Sequence, residues 1–125
     1  MKIKPTDSEL EVLALIWQQG PLTVPQVHEQ IRKSRDIGYT TTLKIMQIMH
    51  DKGMVTRTKQ GKTHLYNVVE SQNKTRGGLV NKMVETAFHG SAKDLVLQAL
   101  GSAKTSKLEL EEIRAYLDKL EKENK

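Results

Sequence analysis

The chain has 125 residues, enough for one domain or for one small domain with an appendage. Hydrophobic residues make up 37% and aromatics 4%, and no apolar run reaches 18 residues, so a transmembrane helix is excluded and a single chain can build only a modest core. The formal net charge is +5 and cysteine is absent, which rules out disulfides and thiolate metal sites.

The first predicted helix opens at a Thr6-x-x-Glu9 capping box behind Pro5. Leu10, Leu13 and Trp17 recur on one face with Val12 and Ile16 beside them, and Gly20-Pro21 ends the helix. Trp17 is expected in the core. A short extended piece, Leu22-Thr23, follows. The second helix starts at a second box, Thr23 with Gln26, and Pro25 suits its first turn because the missing N–H would be unpaired there anyway. Val24, Val27 and Ile31 form its apolar stripe, and Ser34 to Gly38 reads as a loop.

A third helix is predicted from about Tyr39 to Lys52. Stepping 100° per residue places Thr42, Ile45, Met46 and Met49 within one arc and Thr40, Lys44, Gln47 and Asp51 on the opposite arc. Leu43 and His50 lie on one flank, Thr41 and Ile48 on the other. Thr40 could cap this helix, and Gly53 suits the left-handed position beyond its end. The period then changes from 3.6 to 2. Met54 to Lys59 and Lys62 to Val69 read as the strands of one hairpin, with a tight turn at Gln60-Gly61.

The remainder is predicted helical. A helix from near Ser71 is weakened by Gly77-Gly78 and stopped by Gly90-Ser91. A short helix ends at Gly101-Ser102. A third capping box, Ser106 with Glu109, opens the last helix, in which Leu110, Ile113, Leu117 and Leu120 are spaced 3, 4 and 3 like a coiled-coil seam.

Charge follows this division. Residues 1–76 hold 12 Lys/Arg and 7 Asp/Glu, a net of +5, whereas residues 77–125 hold 8 of each. Eight cations lie within 32–62, which points to nucleic acid or, as a weaker alternative, to a membrane surface, the plain reading being a solvated face without a partner. The four histidines have no ligand spacing, and no phosphate-cradling loop or nucleophile elbow occurs, so neither metal nor cofactor is expected and the chain reads as a non-enzyme. No secretory leader pattern is seen and no membrane insertion is expected, so the expected location is the cytoplasm.

Helix, short strand, helix, helix and hairpin together describe a winged helix–turn–helix over residues 1–70. Residues 71–125 read as a helical dimerisation region, so the fold class is mainly α with a small β-hairpin. In such a fold the third helix keeps one face on the core and offers the other to a major groove. Many winged helices bind proteins instead, so an acidic protein partner for the basic face is the alternative.

Three stretches, Glu9–Trp17 (ELEVLALIW), Gly38–Val55 (GYTTTLKIMQIMHDKGMV) and Gly61–Tyr66 (GKTHLY), closely resemble the BlaI/MecI-type penicillinase-repressor family. Gly90–Leu97 (GSAKDLVL) and Leu110–Leu117 (LEEIRAYL) extend the resemblance over almost the whole chain. It implies a dimeric transcriptional repressor whose winged helix binds a palindromic operator on double-stranded DNA. It also implies C-terminal helices that hold the homodimer, and relief by cleavage linked to a membrane-bound sensor protease. Copper-responsive relatives carry a Cys-x-Cys pair, which this cysteine-free chain lacks. β-Lactam-responsive relatives are cut at Asn-Phe after Leu-Val-Leu. Here Leu95-Val96-Leu97 is kept but Gln98-Ala99 follows, so induction is expected not to depend on a cut there.

The candidate DNA-contacting residues are Tyr39, Thr40, Thr41, Lys44 and Gln47 on the third helix. Gln47 is suited to read adenine and the hydroxyls and Lys44 suit phosphates, although Tyr39 could equally pack; Lys44 and Gln47 are also the base-facing side chains that argue against a protein-binding module. Arg32 and Lys33, with Arg35, precede that helix, and Arg57, Lys59 and Lys62 lie near the hairpin tip; all are phosphate candidates. Leu43 could meet a thymine methyl or pack internally. The expected dimer residues are Leu79, Met83, Val84, Phe88, Leu95, Leu97, Leu100, Leu110, Ile113, Leu117 and Leu120.

Overall fold

The structure, a computed structural model, describes residues 4–124. Helix α1 (Asp7–Gln19) is followed by strand β1 (Leu22–Thr23), α2 (Val24–Ile31) and α3 (Tyr39–Asp51). Strands β2 (Val55–Gln60) and β3 (Thr63–Val68) lead into α4 (Gln72–Ala87), α5 (Ala92–Ser102) and α6 (Lys107–Glu123). The chain forms two compact units, one reaching Leu79 and the other starting at Val80.

All three capping boxes form. The Thr6, Thr23 and Ser106 side chains each accept from the amide three residues on, and Glu9, Gln26 and Glu109 reciprocate. The Ser106 amide and hydroxyl hold the Glu109 carboxyl below its ordinary range. The extended piece at Leu22-Thr23 becomes a third strand: the sheet order is β1-β3-β2, all antiparallel, with Leu22 opposite Tyr66. This gives β3 a partner on both edges, which a hairpin alone would lack. The hairpin turn falls one residue later than the sequence suggested. Gln60 still pairs with Thr63, so Gly61-Lys62 is the two-residue loop, and Gly61 takes φ +63 at its first position.

The core of the first unit consists of Val12, Leu13, Ile16, Leu22, Val24, Val27, Ile31, Met46, Met49, Val55 and Tyr66. On α1 the buried apolar residues are Val12, Leu13 and Ile16, while Leu10 and Trp17 pack at the margin. The predicted stripe is shifted because α1 is packed on by α2, α3 and β3 at once. Trp17 donates through Nε1 to the Glu70 carbonyl at 3.0 Å, and buried Thr75 donates to the Glu70 carboxylate at 2.7 Å. These two bonds fix the chain where it leaves β3 and enters α4.

The second unit is built differently. None of the residues of α5 or α6 is buried. Val84, Phe88, Leu95, Leu100, Leu110, Ile113 and Leu120 are half-buried, as is Leu79 at the end of the first unit, and Met83, Leu97 and Leu117 are exposed. At the corner between α4 and α5, His89 (φ 50) and Gly90 (φ 87) are both left-handed, which redirects the chain. No helix among the described residues is long and apolar enough to cross a membrane.

Candidate nucleic-acid interface

Helix α3 has two faces. Thr42, Met46 and Met49 are fully buried, Ile45 and Leu43 pack against the core, and Thr40, Thr41, Lys44, Gln47 and Ile48 are exposed. Leu43 therefore packs internally. Thr40 is not the cap: Gly38 holds that position, its carbonyl accepting from the Thr41 and Thr42 amides. Thr40 thus sits in the first turn as an exposed residue.

Both ends of α3 are fastened to neighbouring elements. At its start, Thr42 Oγ1 lies 2.9 Å from His28 Nδ1 on α2, and the Tyr39 ring meets the His28 ring edge-on at 5.5 Å. At its end, Lys52 Nζ donates to Glu9 Oε2 at 2.9 Å while the Thr6 amide donates to Glu9 Oε1 at 2.9 Å. The Glu9 side chain is 5% exposed and that of Lys52 33%, so one covered carboxylate joins the cap of α1 to a partly exposed ammonium at the end of α3. Burial raises the Glu9 pKa, but the Thr6 amide and Lys52 outweigh that and hold it below the usual carboxylate value. The exposed face of α3 is therefore presented at a fixed angle.

The candidate cations fall into two groups. Arg35 pairs with Glu11 at 2.8 Å and donates to Ser8 at 3.3 Å, so it ties the loop to α1. Arg32 forms a bidentate pair with Glu29 at 2.9 and 2.8 Å; hydrogen bonding between them lowers the Glu29 pKa and raises that of Arg32. Lys33, Lys44, Arg57, Lys59 and Lys62 are exposed, and no ion pair among the described residues engages them. Arg57 lies opposite Tyr66 and Lys59 opposite His64, so both stand on the sheet face that carries Val55 and Tyr66, beyond the end of the core. Lys62 is at the turn.

Sequence reasoning missed the Glu9–Lys52 pair, the His28–Thr42 bond and the exposure of Ile48. Glu9 carried a local signal only for its cap, and nothing local marks a partner 43 residues away.

Comparison with known proteins agrees with this geometry. Residues 5–119 match the family described as penicillinase repressor. The transcriptional regulator BlaI of Mycobacterium tuberculosis is 31% identical over 87 residues, covering 68% of this chain, and the match spans 63% of that relative's length. The DNA-binding domain of the repressor BlaI, solved in solution, superposes with a TM-score of 0.51 at 24% identity over 58% of this chain and 90% of its own. A mutant of Lactococcus lactis ZitR superposes with a TM-score of 0.50 at 18% identity over 100% of this chain and 79% of its own. These two likenesses establish the winged-helix fold. The family is one of repressors, in keeping with a non-enzyme, and the match over residues 5–119 shows that this chain belongs to the penicillinase repressor family.

Proposed function

We propose that this chain is a sequence-specific DNA-binding transcriptional repressor that acts in the cytoplasm and binds a palindromic operator as a homodimer. In this reading α3 enters the major groove, with Lys44 and Gln47 toward the bases and Tyr39, Thr40 and Thr41 toward the backbone. Lys33, Arg57, Lys59 and Lys62 meet phosphates, and Arg32 joins them by exchanging Glu29 for a phosphate. The two-faced α3 carries this reading: its core side is buried while its polar side is held open by the pairs at each end. Residues 1–70 form the DNA-binding part, and the apolar side chains of residues 71–125 are covered by a second copy.

Release by a membrane sensor protease is the regulation that the family resemblance suggests. Gln98-Ala99 replaces the Asn-Phe bond and lies within α5, so a cut at that bond is not part of this proposal.

A gel-shift on the DNA upstream of the chain's own gene tests the reading. The expected result is a retarded band that survives excess unrelated duplex and yields to excess of the same fragment. Equal competition by any duplex would reduce the activity to charge alone, and no shift at all would favour an acidic protein partner.

A further inference from the structure

Among the described residues, the large apolar side chains exposed on the first unit are Tyr39, Ile48 and Val69. Tyr39 leans on His28 and Val69 follows β3, so Ile48, at 39% exposure, is the apolar member of the open face of α3. The first unit leaves Ile48 only partly covered. A β-branched side chain loses rotamer freedom in a helix, so Ala, Gln or Lys would serve the helix better at a solvated position. Stepping 100° per residue, Thr41, Lys44 and Ile48 fall within about 60° of one another, on the side of α3 away from Thr42 and Met46. Ile48 thus stands one turn beyond Lys44 on the same strip of surface.

The floor of a DNA major groove carries hydrogen-bonding edges and one apolar group, the C5-methyl of thymine. A branched aliphatic group between polar readers matches that group and nothing else in the groove. Resting on the DNA-binding reading given above, we propose that Ile48 is a specificity-determining residue that packs on a thymine methyl in each operator half-site, next to the base met by Lys44. The contact recovers the apolar surface that Ile48 leaves in water and disfavours cytosine, whose edge has a donor and no methyl at that position.

The test exploits a change that removes the methyl alone. The full chain is used to select its preferred duplex from a random pool, and each thymine of that site is replaced in turn by uracil, which keeps the pairing and the hydrogen-bonding edge. Binding is followed by fluorescence anisotropy for the wild type and for Ile48→Ala. One thymine per half-site should be sensitive, the wild type losing about fourfold in affinity for each methyl removed, as expected for one buried methylene-sized group. Ile48→Ala should bind the thymine site about as weakly as the wild type binds the uracil site and show no further loss with uracil. Alanine favours the helix at this exposed position, and a circular dichroism melt checks its fold; the uracil arm with wild type needs no variant. A site indifferent to uracil at every thymine overturns the proposal, as does a variant that keeps the wild-type discrimination. Either failure leaves a selected site and so leaves the DNA-binding reading standing, whereas no enrichment of any sequence overturns both.

Discussion

The two units use apolar residues in opposite ways. Up to Tyr66, apolar side chains converge on one core, and eleven of them are buried. From Val80 onward α5 and α6 bury none of theirs, and Met83, Leu97 and Leu117 are more than half exposed at 53%, 59% and 52%. Exposed apolar residues at heptad-like spacing are costly unless another surface covers them. The first unit has a buried core of its own, and under the proposed function a second copy covers the apolar side chains of the second.

Charging the seam stresses this contrast most severely. Leu117→Asp should weaken the dimer at least about 100-fold, because each dimer loses two leucines worth about 1.5–3 kcal/mol each. Sedimentation would then show monomer at micromolar concentration while the thermal transition of the first unit persists. Met46→Ala should do the reverse. Met46 is fully buried, and truncating it should cost about 2–5 kcal/mol of the first unit's stability, read as a lowered denaturation midpoint, with association through the tail intact.

The Glu9–Lys52 pair sharpens the picture by pH. The folded-state pKa of Glu9 lies below its unfolded value of about 4.5, so its contribution is fully present above that value and is lost as pH falls through the lower, folded pKa. Denaturant titrations from about pH 7 down to about pH 3 should therefore show a loss of stability that Glu9→Gln abolishes in part. At neutral pH that variant should be about 2 kcal/mol less stable, since Lys52 keeps a partly covered charge without a partner.

Salt reports the interface more gently. With about four to six phosphates met per chain, a dimer should bind with a log–log salt slope of about −7 to −11. Lys62→Ala should make that slope shallower by about 2, two cations being lost per dimer, and weaken all sequences alike. Arg32→Ala should change it less, because Arg32 gives up Glu29 to reach a phosphate. Gln47→Ala should leave the slope and relax sequence preference instead, by about 1–3 kcal/mol.

Much of this architecture was legible in the residues. The capping boxes at Thr6, Thr23 and Ser106 and the buried arc of Thr42, Met46 and Met49 are local signals, because each depends on residues three or four apart. What the sequence could not display were meetings between distant segments. Leu22-Thr23 joins the sheet only because β3 passes beside it, and Trp17 finds Glu70 only after the hairpin has turned the chain back. The same holds for the cations. Arg32, Lys33 and Arg35 look alike in the sequence, yet Glu29 and Glu11 engage the two arginines and leave Lys33 exposed.

Sedimentation equilibrium of the full chain tests the contrast between the two units most directly. The expected species at micromolar concentration has twice the 14.2 kDa chain mass and dissociates in Leu117→Asp without loss of the first unit's fold. A stable 14.2 kDa monomer with all its helical signal retained would contradict that contrast.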